Sequence, residues 1–262
     1  MLFLFIFAIL LADGNIYRFG NKITSFSTMF ICYLKGCVCM LLLTYYGHSA
    51  FALSDGKDKL LFDPFFSGNP LATTTADVVT CNYILVSHGH ADHLGDAPAI
   101  AARTGAMVIG TPEILEACRA ENGHGMNIGG SAKFSFGSVY MTRAIHSSGV
   151  PGLLSCGFVV NIAGKNVYFA GDTALFSDME LIGKRFRLDC ALLPIGDNYT
   201  MGVEDAAYAV KLLQPKHVIP VHYNTWPVIA AEPERFKELV EKDTDSQVHI
   251  LAPGDALDMD KL

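Results

Sequence analysis

The chemistry of this chain is concentrated in Ser87-His88-Gly89-His90-Ala91-Asp92-His93, where three imidazoles and a carboxylate fall within six residues. The apolar run Tyr83-Ile84-Leu85-Val86 leads directly into it. A buried strand ending in such a cluster calls for metal, and neutral imidazoles with a carboxylate suit zinc, manganese, iron or nickel. In an extended loop, His88 and His90 point to one side and can grip a single ion. Asp92 and His93 lie further along and can reach a second. One tight zinc needs only about four ligands, so donors elsewhere in the chain argue for a dinuclear site.

Such donors exist, and they share a placement. Val167-Tyr168-Phe169-Ala170 runs into Gly171-Asp172-Thr173, and Val218-Ile219-Pro220-Val221 into His222. Val139-Tyr140-Met141 leads, after a polar stretch, to His146, and Leu60-Leu61-Phe62 leads to Asp63-Pro64. Taken singly, each His or Asp is as well explained as a satisfied polar group or a strand cap. Beside the cluster at 88–93, His146, Asp172 and His222 become partners. Ligand sites in layered α/β folds gather where strands end and loops converge.

The elements that must position these groups follow from pattern and turn residues. Strands are expected near 40–46, 50–54 and 59–63, with Ser54-Asp55-Gly56 turning between two of them. A strand over 83–87 delivers the motif, and 94–104 reads as a helix. A short strand at 107–109 precedes a helix from Pro112 to about Ala120. The glycine-rich stretch 123–130 reads as a loop and lacks a phosphate-cradle pattern. Strands are expected near 133–136, 138–144, 157–162, 166–170, 189–193, 217–221 and 247–251. Helices are expected near 176–183, 204–213 and 233–241. Two strand-rich halves with helices outside imply two packed sheets flanked by helices.

With these motifs in view, the chain resembles the metallo-β-lactamase superfamily, whose signature is His-x-His-x-Asp-His. Further blocks carry the likeness: Gly47-His48-Ser49-Ala50-Phe51, Asp63-Pro64-Phe65, Met126 to Gly130, Gly171-Asp172-Thr173, Pro194 to Gly202 and His222-Tyr223-Asn224-Thr225. They resemble a branch of metal-dependent hydrolases related to the ascorbate-6-phosphate lactonase group. The resemblance runs from about Met40 to the C-terminus. It implies an α/β fold, a four-layer αββα sandwich. It implies one ion held by His88, His90 and His146, a second held by Asp92, His93 and His222, and Asp172 bridging them. Two such cations lower the pKa of a shared water, and the resulting hydroxide attacks a carbonyl or phosphoryl centre. The expected reaction is hydrolysis of a small lactone, ester or phosphodiester, with zinc first among the metals. Asp92 would orient the hydroxide and accept its proton. Asp63 would fix a ligand imidazole from behind. His48 lies outside the superfamily ligand set and either contacts substrate or caps a strand. Asn198 and Asn224 are further substrate donors to examine. A di-iron redox enzyme and a metal-binding sensor without turnover are the rival readings. His90 speaks against the first, since oxygen-reducing relatives usually carry Glu there.

Composition narrows the field. The formal net charge of −7 over 262 residues argues against a nucleic-acid enzyme, which needs a basic face. The expected partner is a small molecule, and a homo-oligomer stays open. The seven cysteines form no zinc-type pair; Cys81, Cys118, Cys156 and Cys190 sit in apolar surroundings and point to a reducing, cytoplasmic setting. Residues 40–262 read as one hydrolase domain and residues 1–39 as an extension outside it. The apolar run from Met1 to Leu11 is too short for a bilayer, which needs roughly 20 residues, and lacks a positive flank. An early start codon is the favoured reading of 1–39; a membrane anchor around residues 1–12 and a genuine added element are the others.

Overall fold

The computed structural model describes residues 40–262, and the expectations for residues 1–39 lie outside the described residues. The first sheet holds β1 (Leu42–Gly47), β2 (Ala50–Ser54), β3 (Lys59–Phe62), β4 (Tyr83–Leu85), β5 (Met107–Gly110), β6 (Gly123–Gly125) and β14 (Ala256–Asp258), in the order β14-β1-β2-β3-β4-β5-β6. The second holds β7 (Ser131–Phe134), β8 (Gly137–Arg143), β9 (Cys156–Ile162), β10 (Lys165–Phe169), β11 (Cys190–Pro194), β12 (His217–Val221) and β13 (Gln247–Val248), in the order β13-β12-β11-β10-β9-β8-β7. Each sheet joins an antiparallel meander to parallel strands. In the first, β3, β4, β5 and β6 run parallel; in the second, β10, β11, β12 and β13 do.

Period-two alternation explains the layers. In β3, Leu60 and Phe62 enter the core between the sheets, while Leu61 faces the outer layer with Ile84, Ala97 and Ile100. In β10, Val167 and Phe169 point inward and Tyr168 outward. The inner core stacks Phe51 on Phe62, with Phe169 of the other sheet edge-on to both. Helices α1 (Ala91–Leu94), α2 (Ala97–Thr104) and α3 (Pro112–Ala117) follow strands of the first sheet. Helices α4 (Met179–Phe186), α5 (Val203–Leu213) and α6 (Pro233–Asp243) cover the second through Met179, Ile182, Val210, Leu213, Phe236 and Val240. The result is the expected four-layer αββα sandwich.

Several expectations need correction. The helix expected over 94–104 starts at Ala97; Leu94 belongs to a separate first piece that ends at Gly95. That residue has φ of +43°, and a Cβ there would lie 2.5 Å from the Pro64 carbonyl. The first piece, α1, is built from the motif itself, so Asp92 and His93 occupy a helical turn rather than an extended loop. The stretch 123–130 is not all loop, because Gly123–Gly125 forms the edge strand β6. The helix expected at 176–183 begins three residues later, at Met179. The last expected strand shrinks to Gln247–Val248, and β14 carried no sequence signal because three residues are too few to show alternation. No helix among the described residues is long and apolar enough to cross a membrane.

Candidate metal centre

Strand ends from both sheets deliver the site. The first sheet supplies His48 after β1, Asp63 after β3 and the motif after β4. The second supplies His146 after β8, Asp172 after β10 and His222 after β12. His48, Asp63 and His222 have φ of +58°, +37° and +54°. Left-handed backbone at non-glycine residues costs roughly 1–3 kcal/mol each and persists where the surroundings over-determine it. Here it turns each side chain off its strand toward one point. Two glycines admit the close packing around that point. A Cβ on Gly171 would lie 2.6 Å from the Cys156 carbonyl, and one on Gly149 would lie 2.6 Å from His90 Cδ2.

Two donor groups result, besides the cluster of Asp63, His88 and His93. His88 Nε2 lies 2.9 Å from His90 Nδ1, which lies 3.3 Å from His146 Nε2. Nitrogens bound at about 2.0–2.1 Å to one tetrahedral zinc stand about 3.3 Å apart, so this triad has the right spacing. Beside it, ligand atoms of His48, Asp92, His93 and His222 all lie within 4.8 Å of one another. Asp172 Oδ2 sits between the groups, 3.1 Å from His222 Nε2, 3.2 Å from His93 Nε2, 3.5 Å from His146 Nε2 and 4.0 Å from His88 Nε2.

The buried carboxylate of Asp63 holds the site from below. Its Oδ1 accepts from Ser87 N–H at 2.7 Å. Its Oδ2 accepts from Ser87 Oγ at 2.5 Å and from His93 Nδ1 at 2.7 Å. Ser87 Oγ in turn accepts from His88 Nδ1 at 2.9 Å. Both imidazoles therefore carry their hydrogen on Nδ1, leaving Nε2 directed at the centre. Thr173 ties the His146 loop to β10, its hydroxyl accepting from Ile145 N–H at 2.9 Å.

The electrostatics ask for a cation. Burial would raise Asp172, but His93 and His222 outweigh it and hold the carboxyl well below its ordinary range. Burial would lower His93, but Asp172 and Asp63 reverse this and raise it well above its ordinary value. Two carboxylates thus demand positive charge on or beside His93, as a proton or as a metal that displaces it. Burial lowers His88 to about 2 and His48 to about 4, and it lowers His146 as well, which keeps these rings neutral. Burial opposes ionisation of Asp92 too, yet the His48 hydrogen bond and His93 hold it below the usual carboxylate range. His93 Nε2 and Asp172 Oδ1 are buried without a hydrogen-bond partner among the described residues. Unpartnered buried ligand atoms, converging nitrogens and this charge pattern all fit divalent transition metal.

A cleft of about 280 Å³ opens over the centre, lined by His90, Asp92, His146, Asp172, His222, Ser147 and Tyr199. The residues proposed as substrate contacts are placed otherwise. His48 is fully buried behind Asp92 and does not line the cleft. Asn198 is exposed at the turn beside Tyr199, and Tyr199 is the residue of that loop that reaches the cleft. Asn224 closes its own loop, its Oδ1 accepting from Ala231 N–H at 2.9 Å. Sequence reasoning missed Ser87, although its place directly before His88 at a strand end was a usable signal. It also missed Thr225, and within the loop 194–202 it singled out Asn198 where Tyr199 is the residue that lines the cleft.

Six of the nine histidines thus gather around one centre, at the loop edge of an αββα sandwich, as in a metal-dependent hydrolase. Residues 58–223 match the family described as the beta-lactamase superfamily domain, and the chain belongs to that superfamily. It is 52% identical over 231 residues to a UPF0173 metal-dependent hydrolase of Heliobacterium modesticaldum, covering 83% of this chain and 97% of that one. A UPF0173 metal-dependent hydrolase of Natranaerobius thermophilus is 49% identical over 219 residues, with 83% and 99% covered. Among solved structures, the metallo hydrolase Igni18 of Ignicoccus hospitalis superposes with a TM-score of 0.78 at 39% identity, covering 83% of this chain and 97% of that chain.

Proposed function

We propose that this metal-dependent hydrolase uses a pair of divalent transition-metal ions, zinc foremost, to hydrolyse a small-molecule lactone, ester or phosphodiester. The observation that carries the reading is Asp172 Oδ2, within 3.1–4.0 Å of four imidazoles drawn from both donor groups. His88, His90 and His146 would hold one ion, Asp92, His93 and His222 the other, with Asp172 between them. Bound there, the ions would supply an acidified water and a polarised carbonyl or phosphoryl oxygen. The chain's own residues do the rest. Asp63 keeps the Nε2 atoms of His93 and, through Ser87, of His88 free of hydrogen. Asp92 lines the cleft, stays ionised at neutral pH, orients the attacking water and takes its proton. Tyr199 and Ser147 form the wall against which the substrate sits.

We assign the catalytic unit to residues 40–262, because every donor lies between His48 and His222 and β1 already has neighbours on both sides. Cys81, Cys118, Cys156 and Cys190 are free and buried, which supports a cytoplasmic setting. Elemental analysis of protein purified without chelators tests the reading, combined with turnover of a panel of lactones, esters and phosphodiesters. Two ions per chain and metal-dependent turnover of one class are expected. Active protein without bound transition metal overturns it.

A further inference from the structure

His48 is fully buried, yet both its nitrogens are engaged. Nε2 lies 3.1 Å from Asp92 Oδ2, and Nδ1 lies 2.8 Å from Thr225 Oγ1. Rings surround it: His222 at 4.1 Å between centroids, Trp226 at 5.1 Å, and Phe65 and His93 at 5.6 Å. Its backbone is pinned as well, since its carbonyl accepts from Tyr45 OH at 3.0 Å and from His222 N–H at 2.8 Å. The left-handed φ of +58° shows that the surroundings impose this pose.

Proton placement follows from the partners. An ionised carboxylate only accepts, so the nitrogen facing Asp92 carries the hydrogen. A neutral imidazole has one N–H, so Nδ1 is bare and accepts from the Thr225 hydroxyl. Asp92 Oδ2 is thereby occupied. Its Oδ1 accepts no hydrogen bond from the described residues, and Asp92 faces the cleft.

We propose that Thr225 and His48 are positioning residues for Asp92: the Thr225 hydroxyl sets the His48 tautomer, and His48 Nε2–H anchors Oδ2 so that Oδ1 is aimed at the cleft. The inference rests on the hydrolase reading above, in which Asp92 orients and deprotonates water. It makes His48 a hydrogen-bond donor and not a fourth metal ligand, although its distances to Asp92, His93 and His222 would allow ligation.

The test uses the full chain with isotope-labelled histidine, loaded with zinc, and reads the protonation of each ring nitrogen by long-range proton–nitrogen NMR. His48 is expected to show a protonated Nε2 and a bare Nδ1, with zinc content per chain unchanged in His48→Gln and His48→Leu. Glutamine keeps a donor near the Nε2 position, so on p-nitrophenyl acetate His48→Gln retains most of kcat. His48→Leu loses on the order of 100-fold in kcat, the scale of a misaimed catalytic group, with KM little changed. Thr225→Val falls with His48→Leu, and Thr225→Ser restores activity while leaving His48 in place. An unprotonated, metal-shifted Nε2, or zinc lost from both His48 variants, makes His48 a ligand and overturns the proposal. Equal losses in the Gln and Leu variants with zinc retained overturn it in favour of packing alone. Wild-type protein that binds zinc but leaves the ester untouched counts against the ester reading, while the spectrum and zinc content still decide this one.

Discussion

Replacing Asp63 by Asn measures how far the centre depends on one buried carboxylate. Asp63 accepts three hydrogen bonds, from Ser87 N–H, Ser87 Oγ and His93 Nδ1, at 2.7, 2.5 and 2.7 Å. Asparagine offers one acceptor oxygen and one donor nitrogen. If its oxygen takes the Oδ1 position, Ser87 N–H is satisfied, but the amide NH₂ meets His93 Nδ1. His93 must then move its hydrogen to Nε2, the atom 3.2 Å from Asp172 Oδ2 that a metal needs bare. If the amide is reversed, it meets Ser87 N–H instead, donor against donor. The Ser87 hydroxyl can rotate to accept, so one charge-assisted bond is the net loss, worth about 1.5–3 kcal/mol. At about 1.4 kcal/mol per tenfold, zinc affinity falls about 10–100-fold, the range typical for removing the partner behind a metal-bound imidazole. Competition against a chromophoric chelator gives the affinity, and thermal unfolding of the metal-free proteins shows whether the fold survives. Ser87→Ala is the control, since it cuts the link to His88 but leaves Asp63 bonded to His93. It should weaken binding less. Unchanged zinc affinity in Asp63→Asn, or equal losses in both variants, refutes the reasoning.

Asp92→Asn should remove most turnover while keeping much of the metal, whereas Asp172→Asn should lower metal content further by elemental analysis, because its carboxylate lies between both donor groups. Equal metal content and near wild-type rates in both would show the roles to be misassigned. Gly149→Ala should displace the loop from His90, because its Cβ would stand 2.6 Å from His90 Cδ2 at a φ of +72°; reduced metal loading with a small change in melting temperature is the expected signature. His217 Nδ1 and His249 Nε2 meet at 3.1 Å away from the centre, and burial lowers both rings. The folded chain then binds their protons less readily than the unfolded chain. Stability is full above the unfolded value of about 6.5 and drains as the pH falls below it. Thermal unfolding across that range should be less acid-sensitive in His249→Gln, and an unaltered slope would count against this pair.

The fold was legible because the pattern is regular. Runs such as Leu60-Leu61-Phe62 and Val167-Tyr168-Phe169 are apolar throughout, as strands covered on both faces must be, and their spacing left room for helices. What was illegible is tertiary. The helix expected from Leu94 starts only at Ala97, because Gly95 takes a φ of +43° in a place where a Cβ would lie 2.5 Å from the Pro64 carbonyl. For His48 the sequence leaves substrate contact and a strand cap both open, because it says that a histidine follows a strand but not which way it turns. The left-handed backbone and the partners Thr225 and Asp92, 177 and 44 residues away, decide that. Asn224 carried the polar chemistry of a substrate donor, but its local chain claimed the acceptor first.

Each donor group mixes the two sheets, and this bears on how the centre and the fold support one another. His88 and His90 come from the first sheet and His146 from the second; Asp92 and His93 come from the first and His222 from the second. Even without metal, the Ser87 carbonyl accepts from Cys156 N–H at 3.1 Å and the His48 carbonyl from His222 N–H at 2.8 Å, so the sheets are stitched at the same edge. Strain at His48, Asp63 and His222 can persist because backbone bonds, ring packing and the buried Asp63 carboxylate all oppose its relaxation. A cation gripped by either group would add a further bond between the sheets. Metal affinity and folding stability are therefore coupled here, and a change such as Asp63→Asn acts on both through the same few atoms.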